Sequence, residues 1–245
     1  MDYLDLTFST PAENLACDEA LLDSAEAGLT DEVLRVWETD QYFVVVGYAN
    51  RVAREVNLDA CRLRGIPVHR RCSGGGAVVI GPGCLNYSLI LRIREEFGTV
   101  AQTNRFVLER NCAAVGAALG AARRETAPVE VTVQGITDLA IGDRKFSGNS
   151  QRRRRRFLLF HGTFLLNFDI RLVDELLPLP SRQPDYRRNR AHSEFLTNLG
   201  LAACMVKAAL RNVWGANTSA EYVPTAAIRK LAAEKYSADS WNFKL

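Results

Sequence analysis

The chain reads as an α/β (α+β) protein built on a mixed, largely antiparallel sheet packed with helices. Three observations carry that reading. Short β-branched and aromatic runs alternate with stretches of helical spacing. Two glycine-bearing turns, Gly81-Pro82-Gly83 and Gly142-Asp143, sit between apolar runs as hairpin turns do. One alanine-rich stretch, residues 103–122, is long enough for a helix that covers a sheet. Hairpins argue against a doubly wound parallel sheet.

Taken in order, Asn14 to Ala27 places Leu15, Leu21 and Leu22 among small residues at helical spacing, and Val33 to Trp37 and Tyr42 to Val46 are strands separated by a polar turn. Asn57 to Arg64, closed by Gly65, is a short helix with a glycine stop, after which Ile66 to Arg71 runs extended into three consecutive glycines. Ala77 to Ile80 and Leu85 to Ile93 are expected to pair as a hairpin about Gly81-Pro82-Gly83. Thr103 to Ala122 is a long helix. Val129 to Val133, Asp138 to Ile141, Lys145 to Ser147 and Arg156 to Leu166 are strands, with Gly142-Asp143 turning the hairpin that carries Lys145. Ser193 to Val213 and Thr225 to Lys235 are mostly helical. The expectation is a single domain over 1–245, with a core over about 1–175 and a short helical C-terminal extension over 176–245.

With 245 residues, 47% of them hydrophobic, the chain can bury a substantial core. A net charge of +3 neither demands nor excludes an anionic partner. Cysteines 17, 61, 72, 84, 112 and 204 are scattered, with no C-x-x-C pair, and the first residues lack a basic start and apolar core. These features predict a reduced, cytoplasmic protein. No apolar run approaches the roughly 18 residues that a membrane span needs.

Two segments carry chemistry. His69 to Val78 contains Arg70-Arg71 and the triplet Gly74-Gly75-Gly76 before Ala77, a backbone that can take positive φ and lets a ligand lie against peptide N–H groups. Gly142 to Gln151 sets Lys145 beside Ser147, Gly148 and Asn149, one cation among uncharged donors, which suits a phosphate or a carbonyl gaining negative charge. Adjacent side chains of an extended segment point to opposite faces, so only one of Arg70 and Arg71 faces a ligand. Asn86 and Asp138 are polar residues inside apolar strands, where an unpaired group is costly. His161, with Gly162-Thr163, also lies inside an apolar strand and reads as a wall residue rather than a base. Ser73 to Gly81 fits neither a P-loop nor a dinucleotide fingerprint, because no Gly-Lys-Ser/Thr follows and the glycines are not spaced as G-x-G-x-x-G before a helix.

The ordered set resembles the lipoate-protein ligase A family and its lipoyl and octanoyl transferase relatives, which share a fold with the biotin ligases. The matching residues are Asn14 to Leu22, Val44-Val45-Val46-Gly47 to Asn50, Arg70-Arg71 with the glycine triplet, Leu85-Asn86-Tyr87-Ser88, Asp138-Leu139, Lys145 to Gln151 and His161-Gly162-Thr163, together spanning roughly Pro11 to Asn167. The resemblance implies that lipoate or octanoate is activated with ATP and Mg²⁺ to an acyl-AMP and passed to a lysine of a lipoyl domain, of a 2-oxoacid dehydrogenase E2 subunit or of the glycine-cleavage H protein. Lys145 would be the central catalytic residue. Gly74, Gly75, Gly76 and Ala77 would line the acyl tunnel, Arg71 would reach the phosphate or acyl end, and Asp138 would stand near Mg²⁺ and nucleotide. Two departures stand out. Many relatives place His-Asp where this chain has Ile80-Gly81, and the best-known ligases carry a further C-terminal accessory domain where this chain has some seventy-five residues after Asp169. A reduced tail, a separate accessory subunit, or use of preformed lipoyl-AMP would each accommodate that.

A rival within the fold is ATP-independent octanoyl or lipoyl transfer between carrier proteins through a cysteine thioester. The related transferases carry that cysteine in the region matching Glu130 to Gly135, where this chain has none; Cys72 and Cys84 are the substitutes, Cys72 with a thiol that Arg70 and Arg71 could acidify. A rival from another class is nucleic-acid binding through the five arginines Arg152 to Arg156, against which stand the missing recognition module and the modest net charge. The same run could instead steer an acidic carrier, or simply form a charged edge. Leu177 to Asn198, with Arg182, Tyr186, Arg190 and His192, reads as a surface loop over the site.

Overall fold

The computed structural model describes residues 1–124 and 129–245. Strand β1 (Asp2–Asp5) leads into helix α1 (Pro11–Glu26), followed by strands β2 (Val33–Trp37) and β3 (Phe43–Val46). Helix α2 (Val52–Glu55), helix α3 (Leu58–Leu63) and strand β4 (Val68–Arg70) precede the glycine loop. After it come β5 (Val78–Ile80), β6 (Cys84–Arg92), the long α4 (Val100–Arg123), β7 (Thr132–Gln134), β8 (Asp138–Ile141), β9 (Arg144–Arg153) and β10 (Phe157–Leu165). Helices α5 (Arg171–Leu176), α6 (His192–Phe195) and α7 (Ala203–Trp214), strand β11 (Thr218–Ser219), and helices α8 (Thr225–Leu231) and α9 (Asp239–Asn242) complete the chain, with a π-helical turn at Ala232–Tyr236.

The strands form an eight-stranded sheet in the order β11-β1-β2-β6-β10-β9-β8-β7 and a three-stranded sheet β4-β3-β5. Pairing is antiparallel except where β1 meets β11 and β2, and where β3 meets β4. Alternation along β6 and β10 separates two cores. Leu85, Tyr87, Leu89, Leu158, Phe160 and Phe164 face α4 and α7, whereas Cys84, Ile90, Phe157 and Leu159 face α1 and the small sheet. Thr99 caps α4 reciprocally with Gln102, a capping box that fixes where this 24-residue helix starts.

The chain departs from expectation in four places. β5 and β6 do not form a hairpin: β5 pairs with β3 in the small sheet, and the Gly81-Pro82-Gly83 turn carries the chain across to the large one. Turn residues specify reversal, not the partner, and Gly83 is spent elsewhere, its carbonyl accepting from Leu166 and Asn167 N–H while its φ is +84°. Strand β9 runs on to Arg153. The predicted strand at Val129 to Val133 is the shorter, later β7. Strands β1 and β11 lack the apolar alternation that would announce them and exist through pairing with each other and with β2. Residues 176–245 contribute buried side chains to both cores, Leu201, Val206 and Leu210 to one and Ile228 and Tyr236 to the other. Among the described residues no helix is long and apolar enough to cross a membrane.

Candidate active site

Two neighbouring cross-strand rows on one face of the large sheet build the site. Trp37 pairs with Asn86, Asn86 with Thr163, Thr163 with Gly148, and Gly148 with Asp138; the next row runs Arg35, Ser88, His161, Ser150. Residues two apart on a strand share a face, so widely separated sequence positions become one surface. Thr163 Oγ1 donates to Asn86 Oδ1 at 2.7 Å, which gives the buried Asn86 oxygen a partner.

Lys145 joins this face through a β-bulge. Between β8 and β9 the register shifts at Leu139/Ala140, so Ser147 pairs with Leu139 while Lys145 pairs with Ala140, and Phe146 is the extra residue. Parity is thereby reset. Lys145 shares the face of Asp138, and its Nζ lies 2.7 Å from Asp138 Oδ1. Phe146 is fully buried in the opposite core, and Ser147, opposite Leu139, sits on that other face with its hydroxyl buried and unpartnered. Tyr186 O–H donates to Asp138 Oδ2 at 2.8 Å, so both carboxylate oxygens are engaged; burial first, then the neighbouring carboxylate, raise the Tyr186 phenol and keep it a donor. Among the described residues no cluster of three or more His, Cys, Asp or Glu side chains is placed to hold a metal.

The glycine loop closes the face from the small-sheet side. Of the two arginines, Arg71 turns toward the site, its guanidinium donating to the carbonyls of Gly74 at 2.6 Å and Gly76 at 2.8 Å. Burial pulls Arg71 down to about 10, still protonated at neutral pH. Arg70 points away and binds the carbonyls of Gly47, Tyr48, Asn50 and Asn242, tying the loop to the C-terminal residues. Gly75 takes φ of +88° and a Cβ there would lie 2.8 Å from Arg71 Nη2. At Gly74 and Gly76 a Cβ would meet no protein atom within 4 Å; Gly76 borders ligand space, while Gly74 offers its carbonyl to Arg71 and Ser150.

Two adjoining cavities result. The smaller, about 170 Å³, has an apolar end of Leu15, Trp37, Val45, Val78 and Ile80 and also borders Arg71, Gly75, Ala77, Asn86, His161 and Gly162. The larger, about 780 Å³, is covered by residues 177–187 with α6. Lys145, Asp138, Gly76, Ala77, Val78, Thr137, Gly148 and Thr163 border both, so the Lys145–Asp138 pair stands at their junction. Behind the smaller cavity, His161 accepts or donates at 2.6 Å from Ser73 Oγ and lies 3.0 Å from Asp18 Oδ2, and Asp18 Oδ1 takes a 2.7 Å bond from the buried Arg35. Burial raises the Asp18 carboxyl, but the hydrogen bond from His161 and the charge of Arg35 outweigh it, and Asp18 lies below its ordinary value.

The two thiols flanking the glycine loop are buried. Burial pushes both Cys72 and Cys84 up to about 12, so the adjacent arginines do not acidify Cys72. Most of the arginine run is tied to the protein's own acceptors, leaving Arg155 exposed. Arg152 donates to the Cys72 carbonyl, Arg153 to that of Gly98, Arg154 pairs with Asp23 at 2.7 Å, and the Arg156 and Phe157 N–H groups donate to Glu26. Of the residues singled out from the sequence, Gly74 and Ser147 lie off this face, and the smaller cavity is also lined by Leu15, Asp18, Trp37, Val45, Val78, Ile80, Tyr87, Thr137, Asn149 and Ser150, which were not assigned to the site. The available signal for Asp18 was its place one turn after Asn14 on α1, two polar side chains that both meet the buried Arg35.

The chain matches the lipoyl protein ligase A/B catalytic domain family over residues 10–201. A protein of Aeropyrum pernix with the provisional name lipoate-protein ligase A is 36% identical over 68% of this chain, which spans 58% of that protein. The octanoyltransferase LipM of Geobacillus kaustophilus is 26% identical over 99% of this chain and 97% of its own length. Among solved structures, a bi-partite lipoate protein ligase of Thermoplasma acidophilum, described with its E2 lipoyl domain, superposes with a TM-score of 0.81 at 22% identity, over 99% of this chain and 95% of that one. A lipoate-protein ligase A bound with ATP gives 0.79 at 24%, over 99% and 98%. The structural likenesses establish the fold.

Proposed function

The chain belongs to the lipoyl protein ligase A/B catalytic domain family, and on that premise we propose that it attaches lipoate or octanoate to a lysine of a lipoyl carrier through an acyl-AMP intermediate. The observation that carries this reading is the Lys145–Asp138 pair at the junction of a smaller cavity with an apolar end and a larger one. The acyl chain lies in the smaller cavity with its carboxylate toward Lys145, and ATP occupies the larger. Lys145 stabilises charge on the acyl carbonyl and α-phosphate oxygens, both as the carboxylate attacks phosphorus and as the carrier amine attacks the adenylate. Asp138, held by Tyr186, orients Lys145. Arg71 fixes the glycine loop by taking its carbonyls, leaving Gly75, Gly76 and Ala77 as the wall along which the acyl phosphate lies. Asn86, Thr163 and Gly162 complete the floor, and His161 is a wall residue anchored by Asp18. Because Asp138 already serves Lys145 and Tyr186, Mg²⁺ enters with the ATP as part of the substrate rather than in a protein cage.

Transfer through a cysteine thioester, the rival the sequence left open and one that an octanoyltransferase relative keeps in view, requires a thiolate near Lys145, whereas burial pushes the Cys72 and Cys84 thiols up to about 12. The acceptors we propose are E2 lipoyl domains or the glycine-cleavage H protein, in the cytoplasm. A separate accessory subunit is consistent with the bi-partite ligase of similar fold. The test is lipoate- or octanoate-dependent pyrophosphate release from ATP by the purified chain. Release by the wild type that is lost in Lys145→Ala supports a self-sufficient ligase. No release from folded protein, with transfer from synthetic lipoyl-AMP retained, would replace intrinsic activation by use of preformed adenylate or by a requirement for a second subunit.

A further inference from the structure

Directly behind the site row, on the face of the large sheet that looks toward α4 and α7, four polar side chains run through an otherwise apolar core. Trp214 Nε1 donates to Asn111 Oδ1 at 2.9 Å, Asn111 Nδ2 to the Tyr87 hydroxyl at 2.8 Å, Tyr87 O–H to Asn149 Oδ1 at 2.6 Å, and Asn149 Nδ2 to the Thr137 carbonyl at 2.8 Å. Asn111 and Tyr87 are fully buried, and Tyr87 stacks on Phe164. The direction of the chain is fixed from both ends. An indole N–H can only donate and a backbone carbonyl can only accept, so both amides have one orientation and every proton points toward Thr137. Burial raises the Tyr87 phenol well above its ordinary value and keeps its proton in place. Gly162 gives the chain its passage, because a Cβ there would collide with Asn149 Oδ1. The sheet is thin at Gly148 and Gly162, and Tyr87 and Asn149 border the smaller cavity from behind.

The last link of the chain meets the reaction machinery. Thr137 closes the β7–β8 turn, in which Gly135 takes φ of +56° and Ile136 is 80% exposed, and Asp138 is the first residue of the strand that follows. The Thr137 carbonyl and the Asp138 N–H belong to one planar peptide unit, so a grip on the carbonyl orients the backbone that carries the Asp138 side chain. We propose that Asn149, itself held by Tyr87 and Asn111, is a positioning residue: by fixing the Thr137–Asp138 peptide it sets Asp138, and through Asp138 the Lys145 ammonium 2.7 Å away. The inference rests on the ligase reading above for what Lys145 does. Lys145 and Tyr186 hold the Asp138 carboxylate from in front, and Asn149 holds its main chain from behind. Stability alone does not require such a chain, since replacing both partners of a buried hydrogen bond by apolar groups of the same shape is nearly neutral. Placement of a reacting group does require it, because an error of about 1 Å costs on the order of a hundredfold in rate.

The experiment combines steady-state pyrophosphate release from ATP and lipoate by the full chain with acetylation of Lys145 by acetic anhydride, read by mass spectrometry. Asn149→Ala should lower kcat about ten- to a hundredfold and leave the KM values for ATP and lipoate within about threefold, the pattern of a group that acts on the transition state rather than on binding. Tyr87→Phe, which removes one oxygen, should lower kcat by about three- to tenfold. The double variant should be no slower than Asn149→Ala alone, because both changes act through one contact. Lys145 should be acetylated about threefold or more faster in Asn149→Ala than in wild type, in the direction set by the reference variant Asp138→Asn, which breaks the ion pair outright. Unchanged kcat in folded variants, a loss confined to KM, or single losses that multiply in the double variant would each overturn the positioning role. Should Asn149→Ala fail to fold, Tyr87→Phe decides by the same kcat and acetylation comparison, with both unchanged counting against it. A wild type that releases no pyrophosphate would instead overturn the ligase reading, and acetylation of Lys145 would still judge the positioning, an unchanged rate in Asn149→Ala overturning it.

Discussion

Replacing Gly148 by alanine would set a methyl group 2.9 Å from Lys145 Nζ and 3.1 Å from its Cε. Ordinary contact between such atoms needs about 3.5 Å or more, so the lysine end must retreat by roughly 0.5–1 Å. It cannot do so freely, because Nζ is held 2.7 Å from Asp138 Oδ1. Misplacing a catalytic group by about 1 Å costs on the order of a hundredfold in rate, so adenylate formation should fall by about ten- to a hundredfold. Stability should move the other way or not at all. Gly148 lies within β9, away from positive φ, and glycine inside a strand is worse than alanine by roughly 0.5–1 kcal/mol; for a chain of this size that is about 1–4 °C in Tm, less whatever the lysine shift costs. The assay is pyrophosphate release alongside a thermal melt. Wild-type turnover in a folded Gly148→Ala variant would refute the reasoning that Lys145 works from its position over Gly148.

Three further outcomes are expected. Asp18→Asn removes the anion of a buried Arg35–Asp18–His161 chain and should cost about 3–5 kcal/mol in denaturant unfolding; a loss under 1 kcal/mol would contradict the buried-pair account. The pH dependence has a definite sign. The folded carboxyl lies below its unfolded value of 3.8, so its contribution is complete above that value and fades as pH falls through the lower folded one, and the gap in Tm between wild type and Asp18→Asn should narrow only below about pH 4. Cys72→Ala should keep ligation within about threefold of wild type, since its thiol is protonated at neutral pH; abolished transfer in a folded variant would favour the thioester route.

The sequence reading succeeded where a local pattern decides structure. Val33 to Trp37 and Asp138 to Ile141 are strands with the bounds expected of them, and Gly65 and Gly142 turn the chain with positive φ. It failed where partners decide. Nothing in Gly81-Pro82-Gly83 tells that β5 will pair with β3 instead of β6. Strict alternation would put Lys145 and Gly148 on opposite faces of β9, and only the bulge at Phe146, a property of pairing with β8, brings the lysine over Asp138. The arginines at 152–156 look like an open cationic run because the α1 carboxylates that pair with two of them, Asp23 with Arg154 and Glu26 with Arg156, are remote in sequence. Tyr186 lies in a single 3₁₀ turn, Asp185–Arg187, too short for a periodicity that marks a face, so its role depends on where the covering segment is folded back.

The central claim is that Lys145, at the meeting point of the two cavities, carries the chemistry. Its most direct test is acid-dependent pyrophosphate release from ATP, followed by transfer to a lipoyl domain, by wild type and Lys145→Ala, with folding checked by circular dichroism and melting. Loss of both steps by about a hundredfold or more in a folded variant is the expected result. Retention of both in folded Lys145→Ala would contradict the account.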